Sequence, residues 1–139
     1  MAPKPPKPFC KALLVCGQIV QDARTGQTIL FDLLRSVQMT KFPARIALPI
    51  FFRWTSGHGK YEVEFSLEDV EGNQVSQFTI PGAYDMPDPL EAYELIAHDV
   101  PFTFPRPGRY DLVVSANGEE VVRDAFYAIE IPGAEVTTE

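Results

Sequence analysis

The stretch that most constrains what this chain can fold into is residues 102–131, F-T-F-P-R-P-G-R-Y-D-L-V-V-S-A-N-G-E-E-V-V-R-D-A-F-Y-A-I-E-I. Asn117-Gly118 at its centre is the dipeptide best able to hold positive φ at both central positions of a type I′ turn, whose twist matches that of paired strands. Before it, Tyr110, Leu112, Val114 and Ala116 alternate with Asp111, Val113 and Ser115. After it, Val121, Ala125, Tyr127, Ile129 and Ile131 alternate with Val122, Asp124, Phe126 and Glu130. Period two on both sides of a two-residue turn predicts a β-hairpin. Pro105, Pro107 and Gly108 break any ladder just upstream and force a corner before Tyr110. A Tyr at such a corner either pins the neighbouring backbone through its hydroxyl, as in immunoglobulin-like sandwiches, or is a plain packed aromatic.

The rest of the chain repeats the extended pattern. Residues 9–20 carry apolar side chains on both faces, which suits a central strand or one covered by a second subunit. A turn at Gly26 leads into residues 28–39. There Ile29, Phe31, Leu33 and Val37 are expected on the core face, and Leu30 and Leu34 beside Asp32 on the opposite one, as candidates for an exposed apolar patch. Ile46, Leu48, Ile50, Phe52 and Trp54 share a face, and Pro49 among them predicts an edge strand or a bulge. Residues 60–68 alternate Tyr61, Val63, Phe65 and Leu67 with an acidic outer face. Residues 81–89 show no pattern and are expected to be a loop, where function on a sandwich usually varies. The sum is an all-β chain, an immunoglobulin-like antiparallel β-sandwich of about eight strands. A content of 13 Pro and 9 Gly fits many short strands better than helices.

Its organisation reads as one domain, residues 9–131, between a flexible Pro/Lys-rich arm (1–8) and an acidic tail (132–139). The arm contains P-x-x-P spacing twice and is expected to sample extended polyproline geometry, as a tail or as a docking ligand. No run of about eighteen apolar residues suggests a membrane span and no signal-peptide core opens the chain, so the expected location is cytoplasmic. Residues 1–53 carry a balance of +6 and residues 54–139 one of −13. Such an acidic majority argues against nucleic acid as a partner, and the asymmetry permits head-to-tail association.

Chemistry-bearing clusters are sparse. Cys10 and Cys16 lie six residues apart on one extended segment, roughly 20 Å at strand rise, and cannot pair with each other there. They read as reduced, buried thiols. His58 reads as a loop residue and His98 as a strand-end residue, with no G-x-S-x-G, H-E-x-x-H or phosphate-loop motif beside them. Asp85, Asp88, Glu91 and Glu94 could supply oxygens to Ca²⁺, but Pro87 and Pro89 interrupt the spacing and solvated charge is the plainer reading. No cofactor, metal or catalytic residue is expected.

The segments A-L-L-V-C, G-Q-T-I-L-F, G-x-G-x-Y and F-x-F-P-x-P-G-R-Y…N-G-E resemble an uncharacterised bacterial family of small β-sandwich proteins, a domain of unknown function. The resemblance covers residues 9–131 and implies a fold but no catalytic residue. Two function classes therefore remain. One is a protein-interaction or self-association module using Leu30, Leu34 and Phe51. The other is a small-ligand or carbohydrate-binding module using Trp54, His58, Tyr84 and Asp85 at one end of the sandwich.

Overall fold

A computed structural model of the chain describes residues 5–133. In chain order the strands are β1 (Phe9–Gln21), β2 (Thr28–Leu34), β3 (Ser36–Met39), β4 (Ala44–Thr55), β5 (Gly59–Tyr61) and β6 (Val63–Glu68). They continue with β7 (Gln74–Thr79), β8 (Tyr84–Met86), β9 (Tyr93–Phe104), β10 (Gly108–Ala116) and β11 (Glu119–Glu130). The described residues form no helix. One sheet runs β2-β1-β4-β9, a second runs β3-β11-β10-β6-β7, and β5 pairs β8 in a small third one. The described residues are all-β, with eleven strands where about eight were expected. The count rose because short elements escaped the pattern, β3, β5 and β8 among them.

The hairpin forms as the sequence dictates. Asn117 and Gly118 have φ of 51° and 80°, and β10 pairs β11 antiparallel from Gly108↔Ala128 to Ala116↔Glu119. Asn117 is also a rivet. Its N–H donates to Glu62 O (2.9 Å), its Oδ1 accepts from Glu62 N–H (2.8 Å) and its Nδ2 donates to Lys60 O (3.2 Å). Those bonds occupy the Glu62 backbone, which is why the single strand expected over 60–68 is split into β5 and β6. At the other end of the hairpin Tyr110 Oη donates to Arg106 O (2.5 Å) and accepts from Arg106 N–H (3.2 Å). The hydroxyl pins the corner, which decides between the two roles open to it.

Between the two large sheets lies an aromatic and aliphatic core. Phe102 and Phe126 stand 5.4 Å apart between ring centroids, Phe104 and Tyr110 5.1 Å. Ile50, Phe52, Trp54, Phe65 and Val114 fill the remainder. Pro49 is the expected bulge, with the β4–β9 register shifting between Leu48 and Ile50, and β4 is an interior strand. One side of this two-sheet core is closed where β7 lies along β9, with Ser76 Oγ donating to Pro101 O at 2.7 Å.

Three expectations are corrected. The antiparallel rule fails once, because β3 runs parallel to β11. Within β2 the face assignment fails in part: Ile29 and Phe31 are each 44% exposed and Leu33 59%, and Leu34 packs on the main core, whereas Leu30 stays on the outer face against the cluster of Cys16, Ile19 and Phe51. Two leucines four residues apart cannot pack on opposite faces of a strictly alternating strand. Asp32, at φ 55°, reverses the faces between them. The long loop, finally, contains β8, whose register with β5 is Gly59↔Met86, Lys60↔Asp85 and Tyr61↔Tyr84. Of the two terminal segments read from sequence, residues 1–4 and 134–139 lie outside the described residues.

Candidate functional site

The side of the two-sheet core opposite the β7–β9 closure is open. β1 pairs β4 over Phe9–Val15 and pairs β2 only from Val15 onward. The chain then crosses between sheets at Arg35, so β11 meets β3 only from Tyr127. The first half of β1 and the first two-thirds of β11 therefore each have a single hydrogen-bonded neighbour. Between those two edges lies a cleft of about 380 Å³ lined by Leu13, Val15, Leu34, Leu112 and Phe126, with Leu33, Arg35, Asp124 and Tyr127 around them. Leu33 and Tyr127 are 59% and 42% exposed, large apolar side chains left open to solvent beside an apolar cleft.

Both edges are guarded against strand addition. The β1 register shifts between Cys10 and Ala12, a bulge that puts Lys11 out of the ladder. On β11, Tyr127 N–H meets Arg35 O (3.1 Å), and two residues earlier the Ala125 N–H on that same side is taken by the Asp124 carboxylate (2.9 Å). An inward-pointing charge and a bulge are standard ways to blunt an edge. The opening thus accepts side chains more readily than it accepts a strand.

Of the three residues read as an interaction surface, only Leu34 lines this cleft, and it is half-buried. Leu30 is half-buried on the outer face and Phe51 is 5% exposed, enclosed by the outer cluster and by the Arg53 guanidinium 5.7 Å above its ring. Arg53 is held there by an ion pair with Glu94. Leu33, Asp124 and Tyr127 were missed as site residues, because the reversal of faces within β2 hid the first and the one-sidedness of β11 is a property of strand order.

Trp54, His58, Tyr84 and Asp85, read as ligand loops, do gather at one end through the β5–β8 pairing. The Trp54 ring is 4.9 Å from Phe52, 6.0 Å from Tyr61 and 5.3 Å from Tyr84. It is 0% exposed, so it offers no face on which a sugar could stack. Its indole N–H is buried without a hydrogen-bond partner among the described residues. The Tyr84 hydroxyl donates to Glu94 O (2.7 Å), and burial pushes its ionisation up while the nearby Trp54 N–H partly opposes that. His58 and Asp85 are exposed, and the His58 N–H donates to Tyr61 Oη (2.8 Å).

Burial pushes both thiols up. For Cys10 the Ala12 N–H works against burial and Asp124 with it; for Cys16 burial acts alone. Neither is poised as a thiolate at neutral pH. Among the described residues no group of three or more His, Cys, Asp or Glu side chains is placed to hold a metal ion.

A family profile matches residues 11–129 of this chain, from the third residue of β1 almost to the end of β11. The chain belongs to DUF6941, a family of unknown function. The match spans every strand that builds the DUF6941 core, the cleft included. No curated protein matches the sequence. Among solved structures the DUF6941 chain is similar to the Pseudomonas fluorescens alkylpurine DNA glycosylase AlkC bound to DNA containing an abasic site analog. The identity is 17% and the TM-score 0.49, over 88% of this chain and 30% of that one. A likeness of that size carries no argument about what DUF6941 does.

Proposed function

We propose that this chain is a non-enzymatic, cytoplasmic, immunoglobulin-like β-sandwich that works as a protein-interaction or assembly module, through the cleft on its open side. The observation that carries this reading is the apolar opening of about 380 Å³ between two one-sided strand edges, rimmed by exposed Leu33 and Tyr127. The guarded edges favour a partner that inserts side chains over one that adds a strand. Asp124 and Arg35 at the same opening supply one charge of each sign with which to orient the occupant. The raised thiols argue against a cysteine nucleophile.

Native mass spectrometry of the protein purified gently from its own host tests it. The expected result is a multiple of the chain mass or a companion protein, lost in Leu33→Asp and Tyr127→Asp while the melting temperature stays within a few degrees of the parent. A bare chain at high concentration sinks the reading, and so does a partner that both substitutions leave bound.

A further inference from the structure

The described part of the N-terminal arm is seated on the domain. Polyproline II geometry has three residues per turn, which puts Pro5 and Pro8 on one side and Pro6 and Lys7 on the other. Burial follows that period: Pro8 is buried and Pro5 half-buried, while Pro6 and Lys7 are exposed. Carbonyls of such a helix have no internal partner, and the Pro6 carbonyl, between the two inward rings, accepts a hydrogen bond from Tyr61 Oη at 2.6 Å.

The seat is braced by contacts within the domain. Tyr61 is 1% exposed, its ring packs 6.0 Å from Trp54, and its oxygen accepts from His58 N–H at 2.8 Å, which leaves the hydroxyl proton for Pro6. Gly57 allows the loop to close on Tyr61, since a Cβ there would lie 3.2 Å from Tyr61 Cε2 and 2.6 Å from Met86 Cε. Gly59 makes the floor under Pro5, because a Cβ on it would lie 3.1 Å from Pro5 Cγ and 3.2 Å from Pro5 Cβ. Proline-rich segments are recognised at aromatic-lined sites; here an aromatic hydroxyl meets a carbonyl between two inward prolines, beside a glycine floor.

We infer that residues 57–61 form a binding site for a proline-rich extended segment, and that the chain's own arm is its resident ligand. The site is distinct from the open cleft and does not depend on it. A polyproline segment loses little conformational freedom on docking, and a tethered one is present at an effective concentration of about millimolar. Two rings and one hydrogen bond therefore hold it, and the contact is releasable.

The test uses the full chain with Pro5→Ser, Pro6→Ser and Pro8→Ser together, followed through the backbone amide signals of His58, Gly59 and Tyr61. Those signals should leave their parental positions in the triple variant. A capped peptide with the sequence of residues 2–9 should restore them saturably, and the same peptide with alanine in place of every proline should not. Adding Tyr61→Phe should weaken the peptide about three- to tenfold. If the triple change unfolds the chain, Pro5→Ser alone serves for the same comparison. Unmoved amides in the variant, or no restoration by millimolar peptide, would overturn the inference. A parental signal that shifts with protein concentration would overturn the residence of the arm on its own chain.

Discussion

At the scale of single residues, the side chains that matter most make several bonds at once. Tyr110 Oη both donates to and accepts from Arg106, so Tyr110→Phe should cost about 1–2 kcal/mol in urea unfolding, with Tyr127→Phe on the surface close to zero. Asp69 is a second such point. Its Oδ1 accepts from Glu71 N–H and Asn73 N–H, both at 2.9 Å, and Arg106 lies 3.5 Å from Oδ2. The Asn73 N–H, above all, holds the Asp69 carboxyl below its ordinary range; desolvation opposes it, and Glu71, the Asn73 side chain and Arg106 add to the lowering. A depressed carboxyl contributes stability that is fully present above its unfolded ionisation range and is lost as pH falls through the folded one. Acid unfolding of Asp69→Asn should accordingly lack part of the decline that the parent shows on the acid side of the usual carboxylate range.

At the scale of elements, the instructive strand is β2. A positive φ at Asp32 is compatible with Asp and hostile to β-branched residues. Asp32→Val should destabilise by about 1–3 kcal/mol and Asp32→Gly should not, as thermal unfolding would read. In the same strand Leu34→Asp should cost more than about 2 kcal/mol by burying a charge against the core, whereas Leu33→Asp should be nearly silent. Equal effects of the two would refute the face assignment. The hairpin, the corner at Tyr110 and the bulge at Pro49 were legible in the sequence because each rests on a local rule: two positive φ angles, a blocked ladder, a missing donor. The faces of β2 were not, since one reversed residue at Asp32 defeats a period-two count without leaving a glycine to mark it. Nor were β5 and β8, three residues each: Asn117 binds the backbone at Lys60 and Glu62 from 55 and more residues away, and β8 is defined only by its pairing with β5. The same limit applies to the sites. Pro-rich spacing in the arm was visible, but the Tyr61 hydroxyl and Gly59 floor that receive it are made by folding.

At the scale of the molecule, charge is sorted by sheet. The strands of the β2-β1-β4-β9 sheet carry three cations and three acids, those of the β3-β11-β10-β6-β7 sheet two cations and seven acids. Within the second sheet Arg123 offsets part of the repulsion among those acids, reaching Glu120 at 2.7 Å, Asp111 at 3.1 Å and Glu68 at 3.4 Å. Arg123→Ala should lower the urea midpoint at low ionic strength and much less in 1 M salt, where such exposed pairs are screened. An effect independent of salt would mean that Arg123 acts by packing. The long-range layout carries a further consequence. Lys7, just ahead of β1, helps Arg123 hold the Glu120 carboxyl down near the start of β11, while Ile131 N–H, just past its end, meets Met39 O at 3.0 Å. β1 thus begins at one end of the domain and β11 finishes at the other, roughly 35–40 Å away along twelve residues of strand. Tension applied through the two ends of the domain would run along the strands, loading the long β1–β4 and β10–β11 ladders in shear with all their bonds in parallel, so the domain should bear mechanical load far better than one unzipped from a single end.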